Sequence, residues 1–144
     1  MKDTGINSMS KYKRGHQQSV DKNELEIIKY LEDKGYFIVR SMDDFLIYLK
    51  SGLVQVEVKN ETPFNKNGTL KVGKIKDSQY KMLCYANSAY VILWSYQQAH
   101  NYLIEGFKFK CDDVITPLYF REKYKEWLTD KELKRLRNEK WFNL

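Results

Sequence analysis

The sequence predicts an α/β fold with element order α-β-β-β-α-β and a C-terminal helical extension, and three observations carry that prediction. A helical apolar period runs up to Lys34-Gly35. Three β-branched and aromatic runs follow it, at 36–40, 45–49 and 53–59. A helix from about Gln79 to Ala86 then leads into the fully apolar run Ala89 to Trp94, which reads as a buried strand.

Taken in order, residues 1–18 are polar, carry the basic cluster Lys11, Lys13 and Arg14, and read as a basic arm ahead of a core spanning about 19–95. Asp21 can cap the first helix and Gly35 supplies a left-handed stop. The runs 45–49 and 53–59 flank the tight Lys50-Ser51-Gly52 turn and form a hairpin. Residues 60–76 contain Pro63, Gly68 and Gly73 as breakers together with Lys66, Lys71, Lys74 and Lys76, the pattern of a mobile basic loop. Asp77 or Ser78 can cap the next helix, residues 97–111 carry no decisive pattern, and a charged helical region follows Pro117. Thr129 with Glu132 makes a capping box for a last helix holding Leu133, Leu136, Trp141 and many basic residues, within an extension of about 112–144.

A length of 144 residues, 42% of them hydrophobic, suits a single domain with one core. The longest apolar stretch, 89–94, falls far below the roughly 20 residues that cross a bilayer, and the N-terminus is polar, so no membrane association is expected. Cys84 and Cys111 lie far apart without metal-type spacing and read as buried free thiols, which suits a reducing cytoplasm. The formal net charge of +6 is compatible with a polyanionic partner, because clustered Lys and Arg release counterions from phosphates, and equally with a merely solvated basic surface.

Chemistry is suggested by one Glu-x-Lys tripeptide out of three. Glu32/Lys34 and Glu132/Lys134 fall in helical segments, whereas Glu57 and Lys59 lie in the alternating run 53–59, so Gln55, Glu57 and Lys59 share one face and Val54, Val56 and Val58 the other. With Ser51 and Gly52 as the two loop residues, Lys50 pairs with Leu53, Leu46 opposes Glu57, and Asp44 falls opposite Lys59 and diagonal to Glu57. Asp43 then points away; a three-residue loop would exchange the two aspartates. Glu24 joins Ile27, Ile28 and Leu31 on the core-facing stripe of helix one, either to look across the sheet toward Asp44 and Glu57 or to complement the helix dipole from the first turn.

Hydrolysis of a phosphodiester needs a cation to neutralise developing charge, and hard ions such as Mg²⁺ prefer carboxylate and carbonyl oxygens. Asp44, Glu57 and the Val58 carbonyl can supply them, with Mn²⁺ expected to substitute, and Lys59 can steady the attacking hydroxide or the phosphate. The alternative is an ordinary cross-strand salt bridge between Asp44 and Lys59. His16 and His100 are the only histidines, so a histidine-based centre is poorly supported, and no Walker-type phosphate loop is present.

The pattern resembles the PD-(D/E)XK nucleases, and specifically the archaeal-type Holliday junction resolvases and their phage relatives, over residues 11–95. The matching residues are Lys13-Arg14-Gly15, Glu24, Lys34-Gly35-Tyr36, Val39-Arg40-Ser41, Asp44 and Glu57-Val58-Lys59, with Gln79 where the family often has glutamine. Leu25 stands where the resolvases usually have arginine, Asp43 where the family name has proline, and residues from about 112 onward have no counterpart. The resemblance implies a restriction-endonuclease-like core, a mixed central sheet flanked by helices, and a Mg²⁺-dependent endodeoxyribonuclease acting on branched or duplex DNA in recombination. It also implies a homodimer, catalytic roles for Glu24, Asp44, Glu57, Lys59 and Gln79, and metal ligation by Asp44, Glu57 and Val58. DNA contacts are expected from Lys11, Lys13, Arg14, Arg40, Ser41, Lys66, Lys71, Lys74 and Lys76. The alternatives are a non-catalytic DNA-binding protein on the same fold and a protein-interaction module such as an enzyme inhibitor.

Overall fold

The computed structural model describes residues 14–41, 44–86, 89–106 and 114–142, with residues 14–22 described by backbone only. Helix α1 (Arg14–Asp33) is followed by strands β1 (Phe37–Arg40), β2 (Asp44–Leu49) and β3 (Gly52–Val58), then α2 (Asp77–Tyr85) and β4 (Tyr90–Leu93). After β4, α3 (Tyr96–Gln98) runs into a π-helical turn at Ala99–Ile104, and α4 (Pro117–Trp127) and α5 (Asp130–Arg137) complete the chain. The order α-β-β-β-α-β is the one the sequence predicts. The four strands form one mixed sheet in the order β1-β2-β3-β4, antiparallel except for the parallel β3/β4 pair that α2 connects. No helix among the described residues is long and apolar enough to cross a membrane.

Alternation along the strands divides the interior into two cores. Phe45, Ile47, Val56, Val58, Val91 and Leu93 face α1 and pack with Ile27, Ile28, Leu31, Ala99 and Leu103. Tyr90 and Ile92 face the other way and pack with Tyr80 and Leu83 of α2, Phe120 and Trp127 of α4, and Leu136 of α5. Each such fully buried side chain contributes about 1.5–3 kcal/mol by leaving water. The α2 layer stops short of β1: Phe37 and Tyr48, turned to that same side, are 63% and 49% exposed with ring centroids 5.1 Å apart.

Several elements depart from the sequence prediction. Helix α1 is already formed at Arg14, so Asp21 is an interior position rather than a cap, and Glu24 sits in mid-helix, where the first-turn dipole account of it loses its basis. The stop is as expected: Gly35 has φ +96, and the Tyr36 N–H donates to the Leu31 carbonyl at 3.2 Å. In the hairpin Leu49 pairs with Gly52, so the turn is Lys50-Ser51 and not Ser51-Gly52. Gly52 serves the entry into β3 with φ +133, a conformation that glycine alone adopts without strain.

The stretch 60–76 is tied down, contrary to the expectation of a mobile loop. Phe64 and Leu70 bridge, the Leu70 N–H donates to the Trp127 carbonyl at 2.7 Å, and Phe64 packs edge-on against Trp94 and Trp127. Helix α2 is capped from Lys76, not from Asp77 or Ser78, with the Lys76 N–H donating to Gln79 Oε1 at 3.0 Å. At its other end Arg121 Nη1 donates to the carbonyls of Leu83, Cys84 and Ala86 at 3.0, 3.2 and 3.0 Å, satisfying oxygens that the helix leaves open. Thr129 caps α5 by accepting from the Glu132 N–H, but the Glu132 side chain accepts instead from Tyr80 and Arg135, so only half of the predicted capping box forms. Cys84 is buried, and desolvation pushes its thiol up to about 11; Cys111 lies outside the described residues.

Candidate functional site

Strand pairing builds the site. Asp44 lies directly opposite Glu57 across the β2/β3 ladder, with Gln55 one diagonal step away. The predicted register is displaced by two residues, and because strand side chains repeat every two residues, Asp44 keeps the predicted face while exchanging a diagonal for a direct relation to Glu57. Directly paired residues have Cβ atoms about 4.5–5.5 Å apart, so the two carboxylates are presented as neighbours. Asp43 lies outside the described residues.

Each acid is held by a neighbour. Gln55 Nε2 donates to Asp44 Oδ2 in a short hydrogen bond. Lys59 Nζ is 4.0 Å from Glu57 Oε2 and donates to Gln79 Oε1 at 2.8 Å. Gln79 accepts from the Lys76 backbone as well, so the first turn of α2 fixes where the Lys59 ammonium stands. The side chains of Glu57 and Lys59 are only 9% and 14% exposed, which strengthens charge interactions relative to open solvent. Beneath them Tyr90, paired in register with Gln55, is buried; desolvation holds its phenol well above the ordinary tyrosine range, and the negative charges of Glu57 and Asp44 add to the effect. It therefore stays a neutral O–H beside two acids.

Glu24 is buried on α1, on the other side of the sheet, and its Oε1 is 3.5 Å from Arg40 Nη2. Asn23, one residue earlier, donates from Nδ2 to the carbonyls of Lys59 at 2.7 Å and Trp94 at 3.1 Å, fastening α1 to the ends of β3 and β4. The Val58 side chain fills the α1-side core, so its backbone carbonyl is what it can offer the acids. Among the described residues no group of three or more His, Cys, Asp and Glu side chains is gathered closely enough to hold a metal ion. Asp44 and Glu57 are thus a pair without Glu24.

The predicted phosphate-binding residues divide. Lys11 and Lys13 lie outside the described residues, as does the Arg14 side chain. The Arg40 side chain is 42% exposed at the Glu24 contact, and the Ser41 N–H closes the β1–β2 connection onto the Asp44 carbonyl at 2.8 Å. Lys71 and Lys74 approach Glu61 at 3.9 and 3.0 Å, and these contacts, the Lys74 hydrogen bond above all, hold the Glu61 carboxyl below its usual range. Those two lysines are therefore partly neutralised, while Lys66 and Lys76 are exposed.

Sequence reasoning gave no role to Gln55, Tyr90 or Asn23. Gln55 was findable from its place on the Glu57 face; Tyr90 reads as core within an apolar run, and nothing local marks Asn23. No protein-family model, no curated protein and no solved structure matches this chain.

Proposed function

We propose that this protein is a Mg²⁺-dependent endodeoxyribonuclease with a restriction-endonuclease-like core of the PD-(D/E)XK kind, hydrolysing phosphodiester bonds in branched or duplex DNA. The observation that carries the reading is the direct Asp44–Glu57 pair, with Lys59 on the same strand face and its ammonium fixed by Gln79. Two carboxylates suit the ion, since Mg²⁺ is usually held by one or two protein carboxylates and completed by water and substrate phosphate. Asp44, Glu57 and the Val58 carbonyl would hold it, and when bound it supplies positive charge and Lewis acidity at the phosphate.

The rest belongs to the chain. Lys59 is a compact cation held beside the acids, suited to stabilise charge that develops on the phosphate oxygens. Gln79 aims it, and Gln55 orients Asp44. Glu24 acts by holding Arg40, whose exposed guanidinium meets the DNA backbone together with Lys76 and Lys66. A cytoplasmic homodimer is the assembly this reading favours.

The test is incubation with labelled four-way junction, flap, duplex and single-stranded DNA, each with Mg²⁺, Mn²⁺ or EDTA. Cleavage of at least one substrate with either metal and of none with EDTA is the expected result. Binding is expected to weaken with salt by a factor that tracks the number of phosphates contacted, with a slope of about −0.9 per phosphate on duplex DNA. Salt-sensitive binding without cleavage would leave a DNA-binding protein that performs no hydrolysis; the absence of both binding and cleavage would end the assignment.

A further inference from the structure

Helix α5 lies outside the stretch that resembles nucleases, yet it forms one wall of a groove that includes Lys76, whose backbone is hydrogen-bonded to Gln79 of the candidate site. The opposite wall is Val72, Gly73 and Ile75, and Lys76 and Asp77 close the end nearest α2. Lys131, Glu132 and Arg135 line the α5 side, and the open groove has a volume of about 600 Å³. The groove is connected to the acids through one turn of chain: Lys76 lines it, the Lys76 N–H donates to Gln79, and Gln79 accepts from Lys59.

Its charges are not equivalent. Arg135 donates to Glu132 at 3.0 Å and to Asp77 at 3.3 Å, and these two acids raise the guanidinium's affinity for its proton, so the trio is internally paired and keeps one surplus negative charge. Lys76 and Lys131 are both exposed, and neither is within 4.0 Å of a carboxylate among the described residues. The groove therefore offers two ammonium groups without a carboxylate partner, and a net lining charge of +1, facing a wall that is apolar at Val72 and Ile75 and bare of side chain at Gly73. That combination fits a phosphodiester strand, with phosphate to the lysines and sugar against the apolar wall.

We infer that this groove is a second nucleic-acid subsite, in which Lys131 of α5 and Lys76 grip the phosphate backbone of the strand as it leaves the Asp44–Glu57 centre. The inference rests on the nuclease reading and adds to it a substrate that extends past the scissile bond on the α5 side. The measurement is fluorescence anisotropy of labelled DNA in Ca²⁺ with the full chain, comparing Lys131→Glu and Lys131→Ala with Lys125→Glu. The control makes the same charge reversal on exposed α4 surface outside the groove.

Lys131→Glu is expected to weaken binding about tenfold and to lower the salt slope by about one to two, Lys131→Ala to lower it by about one, and Lys125→Glu to change affinity less than about twofold. Shortening the DNA stepwise from each end should abolish the Lys131 effect for one end only, while cleavage of the shortened substrate persists. If wild type binds and cleaves DNA but Lys131→Glu behaves like Lys125→Glu, the subsite is overturned and the nuclease assignment stands. If wild type neither binds nor cleaves DNA, both fall. If poly-glutamate displaces the DNA from wild type but not from Lys131→Glu, at equal charge and more effectively than competitor DNA, the groove serves an acidic protein partner and the nucleic-acid subsite is overturned.

Discussion

Replacing Glu57 with alanine is expected to lower DNA cleavage on the order of 10³-fold while leaving DNA affinity within about threefold of wild type, because charge stabilisation at the phosphate is lost while backbone contacts remain. Asp44→Ala and Lys59→Ala should behave alike. If the three side chains act on one phosphate, as proposed, the double variant Asp44→Ala/Glu57→Ala should be little worse than either single one, as expected for groups that work as a unit. Single-turnover cleavage and anisotropy on the same DNA separate chemistry from binding. Wild-type turnover by Glu57→Ala would remove this pair from the chemistry.

The second large effect concerns Gln79, which is buried and accepts from both Lys59 Nζ and the Lys76 N–H. Gln79→Leu keeps approximate volume but deprives the ammonium of its acceptor and leaves a backbone donor without one, costing about 1–3 kcal/mol in stability. Cleavage should fall about 10–100-fold, the scale of a catalytic group displaced by about an ångström. Gln79→Glu retains an acceptor for both donors, so it should keep cleavage within about tenfold of wild type. A role confined to packing would lower melting temperature in both variants without this split in rate. Equal rates for the two variants would count against Gln79 as the group that positions Lys59.

How much of this was legible beforehand depends on the range of the interaction. The face shared by Gln55, Glu57 and Lys59 follows from a two-residue period, and Asp44 stayed on that face even though the register moved by two, since parity survives an even shift. Which residue Asp44 opposes was not legible, because the turn lies one residue earlier than the glycine suggests. The stop at Gly35 is local chemistry and legible in sequence, whereas nothing local shows that the helix is already formed at Arg14, seven residues ahead of Asp21. The loop 60–76 looked mobile because its breakers are visible in sequence, whereas the contacts of Phe64 and Leu70 with Trp94 and Trp127 come from distant segments. The pairing of Glu24 with Arg40, and of Lys71 and Lys74 with Glu61, likewise needs three dimensions.

Asn23 has a kinetic consequence. Its two hydrogen bonds span 36 and 71 residues of sequence, and they can close only when β3 and β4 already lie side by side, which itself waits for the crossover through α2. Such contacts form late, after most loop-closure entropy has been lost. Asn23→Ala should therefore leave the refolding arm of a chevron plot within about twofold of wild type and raise the unfolding arm about tenfold, the signature of a contact absent from the transition state. The strand end that carries Lys59 would then be among the last parts of the sheet to close and the first to open, and amide exchange at Lys59, whose N–H donates to the Leu93 carbonyl, should be faster in that variant than exchange at mid-sheet Val56.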